Sequence, residues 1–489
     1  MNENNHRNYP PRRRPRKKKK SFIANLGIPQ IAILLAVLIA VIFSAILMSP
    51  GKRNNTQSDD AYDLPVYPSS TPDKPSTPSD PSTPGDPSTP TAPPEPDIKV
   101  TGTATIGATG DMLMHMPCVN PCLQSDGTYD FGAYFTNFSN YVQAVDYAVA
   151  NLETTLAGSD YVRWANGKKI VGYYGYPSFN SPDTLIPNLQ SAGFDMMLTA
   201  NNHTYDTGTT GFHRTQQILS QNGMDYTGTR SDAESSKYFI KNINGIQVGM
   251  VCYTYETEPD PNKVSLNGIT MKDSDEGLIN VFLKDDVAGF STSLAQNISD
   301  MEADGAEAIV LYIHWGEEYQ TKQNNQQKAM AQAACDLGVD VIVGGHPHVI
   351  QPLDLLTSTT DTDHKTVCLY STGNALSNQR IEHMNLKTGH TEDGIFFTFS
   401  FVKYSDGTVR VENVEVLPLW INLYTSTATG KAVYDILPLD KAVTDWKTAY
   451  TLTDSTLSQA EKSYDRTMKI VGTGLQKINE FLSSLPEIE

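Results

Sequence analysis

Residues 339–348 read Val339-Asp340-Val341-Ile342-Val343-Gly344-Gly345-His346-Pro347-His348, a short apolar run that stops in a glycine pair and two histidines. A run of this length, rich in β-branched side chains and bounded by glycine, predicts a buried strand. The same grammar returns along the chain. Val100 to Ala108 runs into Thr109-Gly110-Asp111, Tyr147 to Ala150 into Asn151-Leu152-Glu153, and Phe194 to Thr199 into Ala200-Asn201-Asn202-His203. Ala308 to Ile313 runs into His314-Trp315-Gly316, and Val367 to Tyr370 into Ser371-Thr372-Gly373-Asn374. Helical periodicity fills several gaps, at Gly211 to Gln221, Val287 to Ala303 and Asn325 to Leu337. Recurrence of strand, turn and helix predicts a layered α/β domain. Asn244-Gly245 and Asp406-Gly407, each inside an alternating apolar run, predict two-residue hairpins at sheet edges. The amphipathic stretch near Leu457 to Leu485 predicts a C-terminal helix.

Open α/β sheets gather ligands at the carboxyl ends of their strands, and that is where the polar residues fall here. Asp111, Glu153, Asn202, His314, His346 and His348 supply two carboxylates, an amide oxygen and three imidazoles. Divalent ions such as Mn, Zn or Fe take this mixture of oxygen and nitrogen, and two ions side by side need a shared carboxylate to offset their repulsion. The set has the size of a dinuclear site. In an extended Gly345-His346-Pro347-His348 segment the two imidazoles would point to the same side of the backbone.

The 489 residues leave room for two or three folding units. Their net charge of -18 hides an asymmetry: residues 1–20 carry nine basic side chains against Glu3, leaving 28 basic and 54 acidic residues in the remainder. A chain so acidic excludes nucleic acid as a general partner. Five cysteines are too few for a disulfide scaffold; Cys118 and Cys122 are close enough in sequence to bridge a loop. Ile31 to Met48 holds no charge and one polar residue, Ser44. It is long enough to cross the ~30 Å hydrocarbon layer. The basic excess before it predicts a cytoplasmic N-terminus and an exofacial body. The expected order is a basic tail (1–27), a membrane span (28–49), a spacer (50–97) holding 13 of the 29 prolines, a main domain (98–425) and a partly helical extension (426–489).

The motifs Gly110-Asp111-Met112-Leu113-Met114-His115, Ala150-Asn151-Leu152-Glu153-Thr154, Tyr176-Pro177-Ser178-Phe179-Asn180-Ser181-Pro182 and Ala200-Asn201-Asn202-His203 with Asp206 occur in order. His314-Trp315-Gly316 with Glu318, Gly345-His346-Pro347-His348-Val349 and Tyr370-Ser371-Thr372-Gly373-Asn374 complete the series. Over roughly residues 100 to 400 this pattern resembles the CapA (PgsA) family of capsule, poly-γ-glutamate biosynthesis proteins, related to calcineurin-like metallophosphoesterases. The resemblance implies a four-layer α/β/β/α sandwich. It implies that Asp111 binds a first metal, that Glu153 bridges, that Asn202 and His314 bind a second, and that His346 and His348 are divided between the two. His203 would be the protonated imidazole near a leaving group or oxyanion.

The chain departs from the phosphoesterase pattern in placing His115 four positions after Asp111 rather than two, so that the first metal either lacks one ligand or takes His115 from a different angle. Phe179, Asn180, Trp315 and Glu318 are expected at a substrate rim, and Asp206 in a turn or cap. Arg163, Lys168 and Lys169 form the basic cluster nearest in sequence to Glu153. The resemblance implies a role in synthesis, assembly or export of an anionic capsule polymer, with the polymer, its synthase or export complex and the cytoplasmic membrane as partners. A metal-dependent phosphoesterase or other surface hydrolase is the alternative.

Overall fold

The computed structural model describes residues 98–165, 168–257 and 263–486. The expected tail, membrane span and spacer lie outside the described residues. Among the described residues no helix is long and apolar enough to cross a membrane.

Two mixed sheets carry the fold. The first runs, edge to edge, Ala432–Pro438, Val409–Thr425, Asp393–Tyr404, Val100–Met112, Tyr147–Asn151, Met196–Leu198 and Asp225–Thr227, with Asn374–Leu376 also paired to Val100–Met112. Its pairs from Val100–Met112 to Asp225–Thr227 are parallel, and those on the other side are antiparallel. The second runs Val281–Phe282, Ile246–Tyr255, Ala308–His314, Val341–Gly345, Lys365–Leu369 and Leu353–Thr357, with Phe239–Ile243 beside Ile246–Tyr255. The turn at Asn244 and Gly245, both with positive φ, closes that hairpin as the sequence predicts.

Alternation of side chains along the strands builds the layers. Ile106, Ala108, Val149, Met196 and Leu198 of the first sheet share a core with Met250, Cys252, Val310, Tyr312, Val341 and Val343 of the second. Their neighbours point the other way: Ala148, Ala150 and Met197 pack on helix Leu185–Ala192. Val251, Leu311, Ile313 and Ile342 pack with residues of helices Val287–Ala303 and Asn325–Asp336. Strands covered on both faces must be apolar throughout, which explains why they read as unbroken runs.

Residues after 425 are not a separate extension. Strand Ala432–Pro438 pairs in register with Val409–Thr425, and helix Asp454–Leu482 is tied back through Asp393, which accepts from Arg466 Nε (2.8 Å), Arg466 Nη2 (2.7 Å) and Ser463 Oγ (2.6 Å). Cys118 and Cys122 are free, buried thiols, and Cys122 Sγ lies 3.5 Å from the carbonyl oxygen of Cys118.

Asp435, on the same edge strand, is buried and accepts from Asn137 Nδ2 at 2.9 and 3.1 Å. Burial pushes its carboxyl up to about 7 against the pull of that amide. A folded-state value raised above the unfolded one means stability that is present below about pH 4 and lost as pH rises towards 7. Asp435→Asn should therefore gain on the order of 2–3 kcal/mol at pH 8 and nearly nothing at pH 4, as read by urea unfolding at the two values. An equal change at both would contradict this assignment.

Candidate metal centre

Parallel register brings the strand ends of both sheets to one place. Asp111 pairs with Asn151 on one side and with Asn374 on the other, while His314 pairs with Gly345 and Thr254. The glycine pair permits this approach. A Cβ on Gly344 would collide with the carbonyl of Tyr370, and one on Gly345 would crowd Asp111 Oδ1 at 3.2 Å.

Glu153 lies at the centre, wholly buried, with His314 Nε2 at 3.6 Å, His348 Nε2 at 3.8 Å and His203 Nε2 at 3.9 Å from its Oε1. Asp111 Oδ1 accepts from Asn151 Nδ2 at 2.8 Å. His348 Nδ1 lies 3.1 Å from Asp111 Oδ2 and 3.2 Å from Asn374 Oδ1; both are acceptors, so this nitrogen carries a proton and Nε2 faces Glu153. On the other side His314 Nε2 meets Asn202 Oδ1 at 2.8 Å, and the His346 ring stands 4.8 Å from that of His314 and 4.7 Å from that of Tyr255.

The structure thus brings together Asp111, Glu153, Asn202, His203, His314, His346 and His348, but not by the expected route. His346 and His348 have φ of +92° and +54°, so the segment is not extended. Their rings diverge, His346 towards His314 and His348 towards Asp111 and Asn374. Two non-glycine residues in a disfavoured region are backbone strain of the kind that collects at functional sites.

Asn180 and Trp315 are in the core, not at a rim. Asn180 is fully buried, accepts from Ala157 N (2.7 Å) and donates to the carbonyls of Gly158 (3.0 Å) and Gly172 (2.9 Å). Trp315 stacks on Tyr370 and donates Nε1–H to its carbonyl at 2.9 Å. Phe179 is buried as well, edge-on to His203 at 4.7 Å and to His115 at 5.3 Å, so it wedges two imidazoles apart. His115 lies at the margin of the cluster, its Nδ1 3.2 Å from the carbonyl oxygen of Leu113. Glu318 is exposed, and its charge is felt at Glu153.

Four residues escaped the sequence reading as site members: Asn151, Asn374, Asn201 and Tyr255. Asn151 closes its strand and Asn201 follows one, the position that selected Asp111, whereas Asn374 opens strand Asn374–Leu376. Asn201 Nδ2 donates to Asn151 Oδ1 (3.0 Å) and to the Leu152 carbonyl (2.9 Å), clamping two of the turns together. Asp206 is more than a cap: its Oδ2 takes His203 Nδ1–H at 2.8 Å and the Phe179 amide at 2.6 Å, and its Oδ1 takes Asn267 Nδ2 at 2.8 Å.

Burial, then the Asp111 charge, pushes the Glu153 carboxyl well above the usual carboxylate range. Burial and neighbouring imidazoles hold His314 and His346 well below the usual histidine range. Burial, then His348, lowers His115 to about 4. Both Glu153 oxygens and His346 Nδ1 are buried without a hydrogen-bond partner. Polar groups so placed carry an uncompensated desolvation cost. Donors sharing one ion at about 2.0–2.2 Å lie roughly 3–4 Å apart, which matches the separations around Glu153. Asp111, Glu153 and His348 form a buried group that can hold a metal ion.

Similarity to known proteins converges on one family. The model of the bacterial capsule synthesis protein PGA_cap family matches residues 105–379. The capsule biosynthesis protein CapA of Bacillus anthracis is 26% identical over 253 residues, 50% of this chain and 54% of that protein. The PGA biosynthesis protein CapA of Bacillus subtilis (strain 168) is 29% identical over 194 residues, 39% of this chain and 44% of that protein. The match spans about half the length of these curated relatives. Among solved structures, Haemophilus influenzae NAD nucleotidase (NadN) aligns over 78% of this chain and 68% of that chain, with a TM-score of 0.36 at 11% identity. The family match runs over more than half of the chain and takes in the whole cluster from Asp111 to His348, and the chain belongs to the bacterial capsule synthesis protein PGA_cap family.

Proposed function

We propose that this chain is a membrane-anchored, exofacial protein that serves the synthesis, assembly or export of an anionic capsule polymer such as poly-γ-glutamate through a divalent-metal site. The observation that carries the reading is Glu153, a buried carboxylate with both oxygens unpartnered among three imidazole nitrogens. Asp111, Glu153 and His348 would hold one ion, with His115 near the margin. Glu153, Asn202, His314 and His346 would hold a second. Bound ions would supply positive charge for carboxylate or phosphate groups and lower the pKa of a water. The chain's own residues do the rest. Asn151 orients Asp111, Asn374 and Asp111 fix the proton on His348 Nδ1, and Asp206 fixes the proton on His203 Nδ1, so that His203 Nε2 faces the Glu153 side of the site.

The Asp206–His203 pair favours a second reading, metal-dependent hydrolysis of a phosphoester or a polymer amide, because a carboxylate-oriented imidazole is the usual equipment of a general acid. Polymer production in cells separates the two. The His346→Ala/His348→Ala double variant should fail to support it under both readings. His203→Gln keeps hydrogen bonding but cannot deliver a proton, and general acid catalysis is worth about 100- to 10,000-fold. Continued production in His203→Gln cells is the result expected for an assembly or export role, and its collapse would favour the hydrolase. Production unaffected by the double variant would overturn the metal reading altogether.

A further inference from the structure

A small hairpin, Val162–Ala165 paired antiparallel with Lys168–Val171, stands apart from both large sheets. Its two faces differ. Arg163 turns back and stacks on the Tyr174 ring at 3.8 Å, and with half-buried Ile170 opposite it forms the packed face. The other face holds Val162 opposite Val171 and Trp164 opposite Lys169, with Val162 40%, Val171 55% and Trp164 71% exposed. Trp164 is exposed next to Val162 with exposed Lys169 opposite it, and Lys168, one residue on and so on the Arg163 side, is exposed too. These residues, with Arg163, put three cations and no acid in the two strands of a strongly acidic chain.

The hairpin is rooted in the wall of the candidate metal centre. Fully buried Asn180 donates to the carbonyls of Gly158 and Gly172, the residues flanking the hairpin, and the adjoining Phe179 packs edge-on to His203. A cationic, apolar arm therefore stands on the segment that borders the site.

We propose that this hairpin is the contact surface for a polycarboxylate chain, Lys169 pairing with its carboxylates on the face where Trp164, Val162 and Val171 cover its methylene stretches, and Lys168 adding positive charge from the opposite face. The inference rests on the polymer reading above and adds the surface that recognises it. Charge selects this occupant: the acidic chain as a whole repels a polyanion, and the two hairpin strands carry cations without an acid. A bilayer surface would also accept tryptophan and lysine, and binding to vesicles separates that occupant from the polymer.

The tryptophans supply the readout. Trp315, Trp420 and Trp446 are buried, and Trp164 is the fourth and exposed one. Titrating the purified full chain in detergent with poly-γ-glutamate should shift tryptophan emission in the parent and leave Trp164→Phe silent, while calorimetry reports the affinity of each. Lys168→Glu/Lys169→Glu, which alters only exposed side chains, should bind about tenfold more weakly and with a shallower salt dependence. Equal polymer affinity in parent and charge-reversed protein would overturn the hairpin assignment while leaving the polymer reading in place. A parent that does not bind the polymer would overturn both. Binding to phosphatidylcholine vesicles containing phosphatidylglycerol, lost in the charge-reversed protein and unmatched by polymer binding, would overturn the assignment in favour of a membrane contact.

Discussion

Glu153→Gln should stabilise the metal-stripped protein and at the same time abolish the stabilisation that divalent metal gives the parent. Two unpartnered carboxylate oxygens buried among imidazoles and like-charged carboxylates cost the fold free energy, and the neutral amide of the same shape avoids most of it. The sign in pH follows. The folded-state value of Glu153 is raised above the unfolded one, so its contribution is present below about pH 4 and lost as pH rises, and the gain from glutamine in stripped protein grows towards alkaline pH. His314 and His346 act in the opposite sense, because their lowered values confer stability above about pH 6.5 that is lost on acidification. With metal at about a hundred times its dissociation constant, the parent gains roughly 2.7 kcal/mol and the glutamine variant nearly nothing. Thermal unfolding with and without metal, at pH 6 and pH 8, checks both halves. A variant that retains the full metal response would contradict the role given to Glu153.

Gly110→Ala should destabilise the fold strongly. A Cβ at this position would fall inside the carbonyl oxygen of Gly373, which already accepts from the Asp111 amide at 3.1 Å. Neither backbone can yield without moving Asp111 away from Asn374, its register partner and a fixed point for His348. Overpacking typically costs about 1–3 kcal/mol and more where, as here, only backbone could yield. Gly277→Ala is the control: its φ is -75° and a Cβ there meets nothing within 4 Å, so the change should stay within about 0.5 kcal/mol. Denaturant unfolding of both variants decides the matter, and a fully stable Gly110→Ala protein would mean that the two strands do not approach as described.

The parallel strands were legible because burial on both faces makes them continuous apolar runs, and the site was legible because polar residues interrupt those runs only at their carboxyl ends. Asp111, Glu153, Asn202, His314, His346 and His348 all announce themselves in this way. Asn151 obeys the same rule and Asn374 opens a short strand after a turn, yet an asparagine beside a strand is also an ordinary turn residue, and only the register of Asp111 between the two marks them as site residues. Asn180 and Trp315 misled for a related reason. They adjoin Phe179 and His314 in sequence, but in a strand or turn the neighbouring side chain points the opposite way, into the core. Strand Ala432–Pro438 was missed because a short edge strand whose pairing partner is fixed by tertiary contacts has no periodicity long enough to read. The Asp206 contact to His203 spans three residues in a loop, where no helical or strand period predicts facing side chains.

The central claim is that Glu153 and the histidines around it bind metal. Elemental analysis of the full chain, purified without chelator and compared with His346→Ala/His348→Ala at matched fold by circular dichroism, tests it most directly. One to two equivalents of a divalent metal in the parent, falling to near zero in the double variant, is the predicted result. A metal-free parent after exposure to Mn, Zn and Fe, or a double variant with undiminished content, would contradict it.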